Sequence, residues 1–250
     1  VIQKQRPTRL PQRYLNQLIE TESRYLEPVV CHEIPDKFLF YEKARQLALA
    51  TTITQNCCQR HWLDGSFIFG DFIEALFVEN NIHTDLLSIG TLGMSLENVD
   101  SLRNLMEGGY LDRLELIISA YLFSHELYGV IPYLFQRLDN GRFQLAVAGY
   151  HGKICLFKTD GGKHVVIHGS ANLRSSANIE HFMVQESEAL YQCDMTVHRR
   201  IVDKFSVINQ DALPPLIEKF KNSEPLTKED KLSIQPLRHK KLWGAVTATN

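Results

Sequence analysis

From Thr84 onward the chain alternates strand-length apolar runs with helix-length amphipathic segments, and few architectures satisfy that alternation. "TDLLSIGTL" reads as a strand. "SLENVDSLRNLMEGG" reads as a helix, with Ser95 as its N-cap and Gly108–Gly109 as its stop. "LDRLELIISAYL" is the next strand, "HELYGVIPYLFQRLDNG" the next helix, and "RFQLAVAGYHGKICLF" runs on as strand through His151 and Lys153. "KHVVIHGSAN" adds a further strand, and a polar helix is expected through "RSSANIEHFMVQESEALY". The expected class is α/β, a mostly parallel mixed sheet flanked by helices on both faces.

The flanks differ in composition. Residues 1–65 read as an N-terminal arm and helices, with a short helix in "PQRYLNQLIETESRYL" and a helical period through residues 38–64. Residues 66–211 form the main domain, opened by an amphipathic helix in "GSFIFGDFIEALFVENN", and 212–250 are a peripheral, Pro- and Lys-rich extension. A formal charge of −2 argues against a whole-surface basic footprint and leaves room for a local basic groove. The five cysteines show no CxxC and no metal-ligand spacing, which fits a reducing, cytoplasmic setting. No apolar run reaches membrane-spanning length, and no apolar signal region follows the charged start. Val1 implies that further residues precede it.

The chemistry concentrates in residues 151–182, "HGKICLFKTDGGKHVVIHGSANLRSSANIEHF". On a continuous strand His151 and Lys153 share a face. A second strand delivers "HGSAN", where Gly169 allows close backbone approach and Ser170 and Asn172 offer small hydrogen-bonding groups. These parts suit an oxyanion. Lys153 neutralises a phosphate, Asn172 donates to a second oxygen, and His151 attacks phosphorus or moves a proton. Glu180, expected on the following helix, would orient the imidazole.

Taken singly, His151 and Lys153 fit an ordinary surface pair in a hairpin. Joined to GSxN at a strand end, they are far more specific. The pattern His151, Lys153, Gly169, Ser170, Asn172 and Glu180 resembles the phospholipase D, or HKD, superfamily over roughly residues 66–208. That resemblance implies a metal-independent, cofactor-free phosphodiester transfer in two steps: a histidine forms a phosphohistidine, and a second histidine protonates the leaving oxygen. The family's aspartate position holds Lys158 here, and Asp160 falls two residues late. The chain has one HxK that is followed by GSxN, and single-motif members pair, so the resemblance implies a homodimer sharing one site.

His164, His168 and His181 read as supporting or solvated residues. His168, beside Gly169, is placed to contact substrate, and any of the three becomes the candidate general acid if one chain acts alone. Cys155 reads as a core residue, and "VHRRIVDK" as a solvated helix face. Three function classes stay open: DNA endonuclease, which the compact single-motif chain favours; hydrolase or transferase acting on a phospholipid or small phosphodiester; and non-catalytic nucleic-acid-binding scaffold.

Overall fold

The structure is a computed structural model that describes residues 29–32, 39–40, 44–55, 57–63, 68–174, 178–207, 214–222 and 224–230. Its strands are β1 (Val29–His32), β2 (Leu39–Phe40), β3 (Cys58–Leu63), β4 (Thr84–Thr91), β5 (Leu111–Ser119), β6 (Phe143–Ala148), β7 (Ile154–Lys158), β8 (His164–Gly169) and β9 (Glu180–Glu186). They form one 9-stranded sheet in the order β2-β1-β3-β9-β8-β7-β4-β5-β6. The helices are α1 (Ala44–Ala50), α2 (Phe69–Glu79), α3 (Leu96–Glu107), α4 (Ala120–His125), α5 (Val130–Leu138), α6 (Glu188–Phe205) and α7 (Pro214–Lys221).

Over β4 to β8 both sheet faces are covered, as the apolar runs require. Leu87 and Ile89 of β4, Leu114 and Leu116 of β5, and Phe182 of β9 share a buried cluster with Phe72, Leu76, Leu102 and Leu134 of α2, α3 and α5. On the opposite face Ile117 and Ala146 meet Ile201 and Phe205 of α6, and Leu156 and Val166 meet its Tyr191 and Met195. Phe157 and Leu87 are fully buried, and truncating such a Phe to Ala costs about 3–5 kcal/mol. Among the described residues no helix is long and apolar enough to cross a membrane.

The α/β class and the mixed sheet are as expected, but the parallel share is smaller than the strand–helix alternation implies. Among the described strands only β4–β5–β6 pair in parallel. The other neighbours are antiparallel; β7, β8 and β9 follow one another with no crossover helix among the described residues, as antiparallel neighbours can. Strands from before residue 66 extend the same sheet, with β3 paired to β9.

Four local expectations are corrected. Among the described residues of 38–64 helix is confined to α1, and Cys58–Leu63 is a strand in which Gln59, His61 and Leu63 face inward while Arg60 and Trp62 face out. Period-two burial there outweighs the weaker helical period. "LDRLELIISAYL" is strand only to Ser119, whose hydroxyl accepts the Leu122 N–H and starts α4. His151 and Lys153 do not lie within a strand: β6 ends at Ala148 and β7 begins at Ile154. The helix expected through 174–191 is instead β9, with α6 beginning after Ser187, whose hydroxyl accepts the Leu190 N–H at 3.3 Å. The short helix proposed within residues 1–28 lies outside the described residues.

Candidate active site at the carboxyl edge of the sheet

In the sheet β7 adjoins β4, and β4 and β5 separate it from β6. Residues 149–153 therefore cross over the carboxyl ends of the two central parallel strands. That edge is where open α/β sheets form ligand crevices. β8 ends there at Gly169, and β9 begins there at Glu180, in register with Leu63. One edge thus collects His151, Lys153, Gly169, Ser170, Asn172 and Glu180.

His151 is exposed, and Lys153 is half-buried with its Nζ donating to the His151 carbonyl at 3.2 Å. Burial lowers the Lys153 pKa, while the Glu180 charge opposes that shift. The Gly169 N–H donates to the Lys153 carbonyl at 3.3 Å, which ties the two halves of the motif together. A Cβ at Gly169 would collide with the His181 carbonyl and lie 2.6 Å from Phe182 Cα. Only glycine lets β8 approach β9 this closely. Ser170 and His181 then clamp each other: the Ser170 N–H donates to the His181 carbonyl at 2.8 Å, and the His181 N–H donates to Ser170 Oγ at 3.0 Å.

Asn172 Oδ1 and His168 Nε2 are buried with no hydrogen-bond partner among the described residues. Buried polar atoms are rarely left so, and both lie at this edge. Burial lowers the His168 pKa, with Asp194 of α6 opposing it and His181 and Arg60 reinforcing it. Glu180 makes no hydrogen bond to His151 among the described residues; its charge acts on Lys153 instead. It also sits at a strand start, not on a helix.

The other histidines separate by position. His168 and His181 share the motif edge, whereas β8 begins at His164, which lies at the far edge against Tyr191 with ring centroids 5.0 Å apart. Lys158, across from His164 in register, and Asp160 beyond it are at that far edge too. Both residues are therefore remote from His151.

A buried polar relay lies beneath the edge, and no spacing in the motif announces it. Tyr150 immediately precedes His151, and its hydroxyl lies 3.0 Å from His198 Nε2, while His198 Nδ1 lies 2.8 Å from Ser88 Oγ. His198 is 1% exposed, and burial brings its pKa down to about 4. The ring is thus neutral near pH 7, with one nitrogen donating and one accepting. Glu115 lies across from Ser88 in register, and burial raises its carboxyl pKa. Gly90 and Gly152 make room for the Tyr150 ring, since a Cβ at either would strike its hydroxyl. The signal in the sequence was the α6 stripe Tyr191, Met195, His198, Ile201 and Phe205, which puts His198 on the buried face of a helix with a polar exterior.

No family model matches the chain, and no curated protein matches it. Several solved structures are similar. One is a phospholipase D family member, Nuc, from Salmonella typhimurium, at 13% identity and a TM-score of 0.42, over 72% of this chain and 97% of that one. Another is phosphatidylserine synthase from Haemophilus influenzae, at 14% identity and a TM-score of 0.47, covering 90% of this chain and 55% of that one. NucT from Helicobacter pylori matches at 10% identity and a TM-score of 0.42, over 59% of this chain and 98% of that one.

Proposed function

We propose that the chain is a phosphodiesterase of the phospholipase D superfamily that cleaves DNA through a phosphohistidine at His151, in a site shared by two copies. The observation that carries this reading is the convergence of His151, Lys153, Gly169, Ser170 and Asn172 on one sheet edge, reached from β6, β7 and β8. Lys153 supplies positive charge where a phosphate oxygen would sit, and the Asn172 amide supplies a hydrogen bond.

The imidazole nitrogen of His151 attacks phosphorus, so an N–P bond forms as the bond to the leaving oxygen breaks. His151 of the second copy gives that oxygen its proton, as a general acid. Water then attacks phosphorus, its proton passing to the same acid, and the N–P bond breaks to leave a phosphate monoester. One HxK paired with GSxN per chain provides a nucleophile but no second acid from a matching motif, and this count makes the reading dimeric.

The test is plasmid cleavage in excess EDTA by wild type, by His151→Ala, and by equal mixtures of the two refolded together. Wild type is expected to nick, and the variant to be inactive. With one shared site the mixture retains about a quarter of wild-type activity, against about half if each chain acts alone. Turnover of phospholipid vesicles with no nicking would replace DNA by lipid, and duplex binding with neither activity would replace the enzyme by a scaffold.

A further inference from the structure

The α6 helix covers β4 to β8 on its face, but among the described residues it has no comparable packing on β9 or β3. The open face of those outer strands is not a random surface. β3 and β9 pair so that Arg60 is across from Met183 and Trp62 across from His181, and β8 continues the first row with His168 across from Met183. These side chains form two rows on one face, two residues or about 6.8 Å apart along the strands. Trp62 is 39% exposed and packs on His181 with ring centroids 5.2 Å apart and an interplanar angle of 42°. Arg60 reaches Met183 Sδ at 3.6 Å.

Three features of this face point to an occupant. It carries an indole, an imidazole and a thioether, which stack on or pack against a flat ring. Arg60 sits among them and supplies a fixed positive charge on a chain whose formal charge is −2, with Asp194 the acid that acts on His168. It is also continuous with the motif, because the same His181 is clamped through its backbone to Ser170. A duplex keeps its base faces stacked inside the helix, so an indole on a flat sheet meets a base face only in an unpaired strand.

We propose that Arg60, Trp62, His168, His181 and Met183 form a platform for single-stranded nucleic acid, with Trp62 stacking on a base and Arg60 pairing with a phosphate, which delivers the strand to His151 and Lys153. This rests on the phosphodiesterase reading for its destination, while the binding it predicts is measured without cleavage. A bidentate guanidinium suits a phosphate oxygen pair, and stacking on indole tolerates any base, so recognition follows strandedness and not sequence.

The experiment uses the full chain carrying His151→Ala, to prevent cleavage, and Trp243→Phe, so that Trp62 is the sole tryptophan. The probe is a fluorescein-labelled oligodeoxythymidine, read by anisotropy, with an unlabelled copy used for indole emission. Saturating oligonucleotide is expected to quench Trp62. Trp62→Ala should weaken binding about tenfold while Trp62→Phe stays within about threefold, since a ring of either kind stacks. Arg60→Gln should weaken binding and flatten its salt dependence. A duplex of the same length should bind more weakly and leave the emission unchanged.

The platform is overturned if the oligonucleotide binds without quenching Trp62, if Trp62→Ala binds as tightly as its parent, or if duplex quenches equally. Emission that shifts on phosphatidylcholine–phosphatidylglycerol vesicles but not on oligonucleotide would overturn it in favour of a lipid surface. A dimer that falls apart on Trp62→Ala, with no oligonucleotide response, would assign the face to a second copy. Failure of the phosphodiesterase reading looks different: the wild type cleaves neither plasmid nor oligonucleotide, whatever Trp62 reports.

Discussion

Tyr150 Oη and His198 Nε2 lie 3.0 Å apart inside the fold, 48 positions distant in the chain, and the backbone that leaves Tyr150 carries His151 directly onto the sheet edge. The contact fixes the start of the motif loop from below. Tyr150→Phe keeps the ring but leaves a buried imidazole nitrogen without its partner, at a cost of about 1–3 kcal/mol. Urea unfolding of the variant against wild type at neutral pH measures that loss.

The same histidine makes stability depend on pH. The folded pKa of His198 is brought down to about 4 from an ordinary 6.5, so between those values the unfolded chain binds a proton that the folded chain refuses. Stability therefore rises with pH across this window, and the contribution is absent above 6.5, where both states are neutral. Acidification from pH 6.5 to 4 should remove on the order of 3 kcal/mol through this residue, and that slope should shrink in His198→Gln, measured by denaturant midpoints at successive pH values.

Glu180 holds the Lys153 ammonium in its charged form against the effect of burial. Glu180→Gln removes that support, so Lys153 loses its proton at a lower pH. The alkaline limb of the kcat/KM profile for oligonucleotide cleavage should move toward acid in the variant. An unmoved limb would separate Glu180 from Lys153 in function.

Gly169→Ala tests the close approach of β8 to β9. The new methyl meets backbone, the His181 carbonyl and Phe182 Cα, and not the end of a flexible side chain. The strands must part, with a loss of about 2 kcal/mol or more in stability and a larger loss in cleavage, because the Ser170–His181 clamp opens with them. Chemical denaturation and a single-turnover rate read the two effects.

The parts of this account that were legible in the sequence are those set by short-range spacing. β4, α2, α3 and β8 fall where their periodicity and caps put them, and Gly169, Ser170 and Asn172 come to one turn because the motif is local. β9 was not legible, because "EHFMVQE" has no strong strand preference of its own and is held extended by β3 on one side and β8 on the other. The separation of β6 from β7 was hidden for a related reason: "LAVAGYHGKICLF" has a strand's composition throughout, and only the sheet order reveals that its two halves are not neighbours. The relay through Ser88 and His198 joins three distant segments, and "VHRRIVDK" read as a solvated face because the exposed Arg199 and Arg200 lie between its two buried residues, His198 and Ile201.

The covalent intermediate tests the central claim most directly. Wild-type protein and a labelled oligonucleotide are mixed in EDTA and quenched in alkaline detergent, where a nitrogen–phosphorus bond survives, and the label that travels with the protein is mapped by peptide mass spectrometry. The account predicts a phosphate linkage on the peptide containing His151, released by acid and absent from His151→Ala, with cleavage lost in that variant. Cleavage by His151→Ala at the wild-type rate, with no linkage formed by either protein, would contradict it.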